Sequence, residues 1–298
     1  DNAERFIFFS RSVVELCLAL GLVPDVIHCN DWQTGLVPVY LKTLYRGFKP
    51  LSDAATVFTV HNIGAQGVFW VYDYSLTGLG WEYFTPEALE FYGNLNLHKG
   101  GLVFSELIST VSPTYAREIL TPGLGCGLEG VLAKRREDIF PVLNGVDYDE
   151  WNPQTDRHIA HNYDAHHLEP KAVCRKVLQE FFKLENGAEA PLVAIISGFV
   201  ERKGFDLISA AFEDLLALGL RFVIMGRGED KYQSFFREME ARYPHRVGLT
   251  MTYDYPLVHR ILAGADIFLM PSRYEPCGTE QLYGLRYGAI PVVRATGG

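Results

Sequence analysis

In the stretch SRYEPCGTEQLYG (272–284) a carboxylate, Glu275, and a thiol, Cys277, stand just ahead of Gly278 and Thr279, where a helix begins. Backbone amides at a helix start have no intrahelical partner, so those of 277–280 suit a diphosphate or a sugar hydroxyl. Glu275 suits a hydrogen bond to a sugar or the balance of a developing positive charge. The plainer alternative is a capping carboxylate beside a buried thiol. A helix N-terminus can lower a thiol pKa, but a lone cysteine without a placed histidine base is weak ground for a nucleophile. In ISGFVERKGFDL (196–207), Arg202 and Lys203 lie between a strand and a helix. Lys203 suits a phosphate, because its ammonium and the free amides attract the same anion. A solvated charge pair on a loop is the equal alternative. Without a GxxxxGK[ST] pattern this is not a Walker loop.

HCNDWQTG (28–35) puts Asp31 directly after a strand and beside Trp32. An acid next to an aromatic ring suits carbohydrate, which offers hydroxyls at its edge and C–H faces for stacking. On spacing alone the favoured reading is an Asp31 cap on the helix beginning at Trp32. TVHNIGAQG (59–67) places His61 and Asn62 at another strand end, where a buried structural histidine is the default. HIAHNYDAHH (158–167) collects four histidines, but a solvated loop is the better reading than zinc, since no strand or helix fixes them.

These residues need strand ends to hold them. Short apolar runs alternate with segments of helical period, the signature of βαβ units around parallel sheets. DVIHCN (25–30), TVFTVHN (56–62) and ELISTVS (106–112) are strands in the first half, and SPTYAREI reads as a helix capped by Ser112 with Pro113 in its first turn. The second half alternates strands at 191–198, 221–226, 246–251, 266–272 and 290–294 with helices between them. The polar, proline-bearing stretch from 144 to 190 separates the two series. The fold class is therefore α/β, with an N-terminal Rossmann-like domain over 1–143 and a C-terminal one over 144–298 that includes the 144–190 linker. In open parallel sheets ligands bind outside the carboxyl ends of the strands, and function is expected in a cleft where such ends converge.

The 298 residues are 48% hydrophobic and 21% charged, ordinary globular values whose length favours two domains. A net charge of −9 argues against nucleic acid or an anionic membrane as the main partner. No apolar run reaches the roughly 18 residues that span a bilayer. Five scattered cysteines, an odd count without CxxC spacing, favour a reducing compartment over a disulfide framework. A reducing cytosol is therefore the expected compartment. Neither end of the sequence reads as a natural domain terminus.

Taken in order, HCNDWQTGLVPVYL, FTVHN, TVSPTYAREI, VLNGVDYDEWNPQTD, RKGFDL and YEPCGTEQLYGLRYGAIPVVRATGG resemble the bacterial glycogen synthases and plant starch synthases from end to end. The resemblance implies a retaining glucosyltransferase of the GT-B type, with two Rossmann-like domains. It would move glucose from a nucleoside diphosphate, ADP in bacteria and plastids, to the non-reducing end of an α-1,4-glucan. It implies no cofactor and no metal, only a nucleotide-sugar co-substrate. By position, Asp31 matches an acid near the acceptor and donor sugars and His61 the histidine beside the transferred glucose. Asn144 matches an asparagine lining the cleft, Lys203 the lysine on the donor diphosphate, and Tyr253 the aromatic on the nucleotide base. Glu275 and Cys277 match the residues at the donor glucose, with the amides around Gly278 and Thr279 completing that pocket.

The sequence also departs from the family. The donor-phosphate strand usually carries an arginine where Gly198 stands here. Losing one guanidinium aimed at developing phosphate charge is expected to cost about 3–4 kcal/mol in the transition state, roughly two to three decades in rate. Arg202 offers a replacement cation, although a usually polar, uncharged position favours solvent. Gly64 and Ala65 replace Ala-Tyr, and Thr279 and Glu280 replace Leu and a small or polar residue. Glu280 brings negative charge to the helix end that meets the diphosphate. The family's N-terminal K-x-G-G-L loop and most of its C-terminal crossing segment have no counterpart, so a core fragment is expected. A second reading, in another class, is a weak or inactive glucan-binding scaffold on a degenerate synthase fold. A third is a related enzyme with another donor or acceptor, of the sucrose or trehalose type.

Overall fold

The apolar runs become parallel strands in both halves of the chain. The computed structural model describes residues 1–185 and 190–298. They divide into two units, Asp1–Leu143 with Gly297–Gly298, and Asn144–Thr296.

The first unit opens on α1 (Asn2–Ala19), capped by the Asp1 carboxylate, which accepts from the Ala3 amide at 2.9 Å. Strand β1 (Val26–Asn30) runs through a 3-10 turn at Trp32–Thr34 into α2 (Leu36–Lys42), and β2 (Ala55–Val60) follows. Three short strands, β3 (Val68–Phe69), β4 (Glu90–Phe91) and β5 (Asn94–Asn96), pair antiparallel in the order β3-β5-β4. After α3 (Leu97–Phe104) come β6 (Leu107–Thr110), α4 (Pro113–Glu118), α5 (Glu129–Lys134) and β7 (Ile139–Pro141). The main sheet is parallel in the order β1-β2-β6-β7. Ser112 caps α4 as expected, its hydroxyl accepting from the Tyr115 amide at 3.1 Å.

The second unit begins with α6 (Lys171–Phe181) inside the stretch expected to be a linker; residues 186–189 of that stretch lie outside the described residues. Then β8 (Leu192–Ile196), α7 (Phe205–Ala217), β9 (Arg221–Met225), α8 (Asp230–Arg242) and β10 (Val247–Thr250) alternate, followed by α9 (Tyr255–Gly264), β11 (Ile267–Met270), α10 (Thr279–Arg286) and β12 (Ile290–Val293). All pairings are parallel, in the order β10-β9-β8-β11-β12. Successive side chains of a strand point to opposite faces. Leu192, Ala194 and Ile196 therefore pack with Ile261 and Leu262 on one side, and Val193 and Ile195 with Phe205, Phe212 and Phe236 on the other. Every residue of β8 and β9 is buried, which is why those strands read as unbroken apolar runs.

The histidine-bearing stretch is a loop with His161, His166 and His167 exposed, as expected, but the residues just ahead of it are packed. Trp151 lies between His259 and Tyr283, stacked on both with centroids at 4.2 and 4.0 Å. Asp156 Oδ2 accepts from Tyr287 Oη at 2.6 Å and from His259 Nδ1 at 2.8 Å, with all three groups buried. Burial alone would raise the Asp156 carboxyl, but these hydrogen bonds outweigh it and hold the group below the usual carboxylate range. His158 packs edge-on against Tyr255, and the Cys174 thiol donates to the carbonyl of His161 at 3.1 Å. Among the described residues no group of three His, Cys, Asp or Glu side chains could hold a metal ion, and no helix is long and apolar enough to cross a membrane.

Asp156→Ala removes the acceptor that two buried donors share, and denaturant unfolding of the second unit should show a loss of about 2–4 kcal/mol. Because the folded carboxyl lies below its unfolded value, its contribution is present at neutral pH. It is lost as pH falls from the unfolded carboxylate range through the folded value. An Asp156→Asn variant should therefore lose less stability than the parent across that acid limb, and parallel limbs would contradict the assignment.

Candidate active site

Strands β8 and β11 are paired, so the loops that leave their carboxyl ends start side by side. The β8 loop returns through Gly204 at φ 79°, where a Cβ would sit 2.3 Å from the carbonyl oxygen of Pro271 on the β11 loop. Only glycine allows that approach. The Arg273 amide donates to the Arg202 carbonyl at 2.9 Å, and the Arg273 fork grips Asp206, with Nη2 2.6 Å from Oδ2. Joined this way, the loops bring Lys203 Nζ to 2.5 Å from Glu275 Oε2. Glu275 is only 7% exposed. A carboxylate so far removed from water needs a paired cation, and Lys203 is that cation.

Helix α10 starts immediately beyond, as expected for Thr279, with Gly278 at φ 72° as the residue before it. A side chain there would run into Gln281 Nε2, 2.8 Å from an ideal Cβ. No side chain caps this helix start. Cys277 is buried, and burial pushes its thiol up while hydrogen bonds with Asn144 oppose the rise. The helix start therefore does not hold this thiol below its ordinary value. Asn144 and Cys277 meet although they stand 133 positions apart in sequence (277 − 144). Tyr253, 67% exposed, follows β10; burial raises its phenol and the charge of Glu280 raises it further, which places the unexpected Glu280 near it. Arg202 is exposed, and its backbone carbonyl rather than its guanidinium serves the loop junction.

In the first unit a second cluster forms at the ends of β1 and β2. Asp31 does not cap the turn at Trp32–Thr34, which carries no side-chain cap. Its Oδ1 instead accepts from the His61 amide at 2.9 Å, tying one strand end to the next. Asp31 holds φ 53° and ψ −177°, a conformation costing a non-glycine residue on the order of 1–3 kcal/mol and found mainly at functional positions. Burial raises its carboxyl, with the His61 and Asn62 amides opposing. His61 is half-buried rather than enclosed, and its Nε2 lies 2.9 Å from Asn30 Oδ1.

Sequence reasoning missed the Arg273–Asp206 clamp and Asn30. Arginine and aspartate 67 positions apart (273 − 206) give no local signal, and only sheet order shows that their loops adjoin.

Residues 1–134 match the starch synthase catalytic domain model, and residues 177–298 match the glycosyl transferases group 1 model. Over all 298 residues the chain is 47% identical to a glycogen synthase of Pseudothermotoga lettingae and 49% identical to one of Thermotoga petrophila, covering 61% of each. The catalytic domain of starch synthase IV from Arabidopsis thaliana, solved with ADP and acarbose bound, superimposes with a TM-score of 0.93 at 36% identity. That match covers 100% of this chain and 62% of the solved one. The chain thus spans about three fifths of the length of these relatives, and its two parallel sheets are the Rossmann-like domains of a GT-B fold.

Lys203→Ala should lower stability by about 2–3 kcal/mol in urea unfolding, somewhat less than for a fully enclosed pair because Lys203 keeps some contact with water. Adding Glu275→Gln to that variant should restore part of the loss, since it removes the uncompensated charge. A double variant no more stable than Lys203→Ala would contradict the pairing as the reason for both residues.

Proposed function

The chain belongs to the bacterial glycogen synthase and plant starch synthase family, and on that premise we propose that it is the core of a retaining glucosyltransferase. The donor is ADP-glucose, and the acceptor is the non-reducing end of an α-1,4-glucan such as glycogen or starch. The observation that carries this reading is the Lys203–Glu275 pair beside the uncapped start of α10, at the carboxyl edge of a parallel sheet. The Arabidopsis relative, solved with ADP, supports the choice of nucleotide. Five free cysteines and bacterial relatives favour the bacterial cytoplasm as the place of action.

In this reading Lys203 and the amides of 277–280 receive the diphosphate, Tyr253 stacks on the base, and Asn144, Cys277, Gly278 and Thr279 line the donor sugar. Glu275 sits at the glucose ring, where its charge balances an oxocarbenium-like transition state. Asp31 and His61 hold sugar hydroxyls, the former with a carboxylate already fixed by the His61 amide. The bond between the sugar C1 and the β-phosphate oxygen breaks, with its electron pair leaving on the diphosphate. The acceptor hydroxyl oxygen bonds to C1 on the same face and its proton passes to the departing phosphate oxygen. This scheme needs charge neutralisation at the leaving group more than a strong base, and a fixed ammonium with oriented amides supplies it without reorganisation.

Incubation with ADP-[14C]glucose and glycogen, followed by counting precipitated polymer, tests the proposal. Label should enter polymer, and Glu275→Ala should reduce the rate by at least about a hundredfold. No incorporation at millimolar donor, with glycogen still bound, would leave a glucan-binding protein and sink the enzyme reading.

A further inference from the structure

The family's arginine at the donor phosphate is absent here, since Gly198 occupies its position, yet the edge of the sheet carries another arginine beside it. Gly198 follows β8 by two residues and Arg227 follows β9 by two. The two strands are neighbours, and their extensions remain joined: the Phe199 amide donates to the Arg227 carbonyl at 2.9 Å, and Phe199 bridges Gly228 in parallel. A Cβ built on Gly198 would lie 3.9 Å from that carbonyl, with nothing nearer. Arg227 therefore adjoins the vacant position across a single strand seam.

Strand order adds a second argument. β9 runs between β10, whose end leads to Tyr253, and β8, whose loop carries Lys203. A nucleoside diphosphate stretched from a base at Tyr253 to a phosphate at Lys203 must pass over the end of β9, where Arg227 stands. Beside Lys203, two further cations of this edge are held by carboxylates: Arg273 by Asp206 and Lys231 by Glu229. Arg227 is exposed and stands in no ion pair among the described residues. Arg202 is exposed as well, but it sits on the turn beyond Lys203, and its carbonyl is committed to the β11 loop.

The geometry points to Arg227 as the guanidinium that contacts the donor's diphosphate in this chain, in place of the arginine missing at 198. The assignment rests on the donor-site reading above. It explains how a chain with glycine at 198 keeps a second positive group at the phosphates, where a planar fork offers two parallel N–H donors to phosphate oxygens. It also supplies a charge opposite in sign to Glu280, near the nucleotide path.

Calorimetric titration of the 298-residue chain with ADP, and separately with adenosine, tests it. Arg227→Ala should weaken ADP by about tenfold or more and adenosine by less than about twofold, because only the phosphate contact is lost. Gly198→Arg should restore ADP affinity to Arg227→Ala and add less to the parent, since both arginines serve the same phosphates. Thermal unfolding of each variant checks that the fold is kept. Unchanged ADP affinity in Arg227→Ala, an equal loss for adenosine, or no recovery with Gly198→Arg would overturn the assignment. Failure of the parent chain to bind ADP at millimolar concentration would sink the donor-site reading itself, and this assignment with it.

Discussion

A carboxylate taken out of water must be compensated, and in the second unit that single requirement organises the corner where the chemistry is placed. Glu275 is buried at the end of β11, and Lys203 compensates it from the end of β8. For the ammonium to arrive, the two loops must approach more closely than side chains permit, which fixes glycine at 204. For them to stay together, Arg273 must bind the Arg202 and Glu201 carbonyls and grip Asp206. The free amides of α10 follow only because Gly278 turns the chain sharply after the buried carboxylate. A charge pair of this kind is weak ground for stability but strong ground for geometry: removing either partner leaves a desolvated charge behind.

The same sheet logic places the remaining charges. Ligand-binding groups of an open parallel sheet collect at the carboxyl ends of its strands, so a cation lost from one strand end can be supplied by the next. Gly198 and Arg227 are neighbours in space because β8 and β9 are neighbours, although they stand 29 positions apart (227 − 198). Glu280 is tolerated at the first turn of α10 in a setting that holds Tyr253 nearby. The balance of these groups, rather than any one of them, sets the field at this edge of the sheet.

Much of this was legible in the sequence. The unbroken apolar runs of β8 and β9 announce strands buried on both faces, and Ser112 marks the start of α4 correctly because its signal is local. Lys203, Glu275 and the start of α10 stand out in the sequence for the same reason. What stayed hidden depends on contacts between distant segments. Trp151 and Asp156 sit in a polar, proline-bearing stretch that reads as linker, and their role appears only when His259, Tyr283 and Tyr287 close around them. Asp31 reads as a helix cap because Trp32 follows it; its actual partner, the His61 amide, comes from the adjoining strand. A place before a helix can lower a thiol, yet at Cys277 burial dominates and raises it.

The claim at the centre of this account is that the Lys203–Glu275 corner receives a diphosphate. Ligand bound only by the folded state raises the unfolding temperature in proportion to its affinity and concentration. Differential scanning of the parent chain and of Lys203→Ala across a series of ADP concentrations measures this directly. The account predicts a dose-dependent rise for the parent that is abolished or displaced to at least about tenfold higher ADP in the variant. An equal rise in both proteins, or none in the parent, would contradict it.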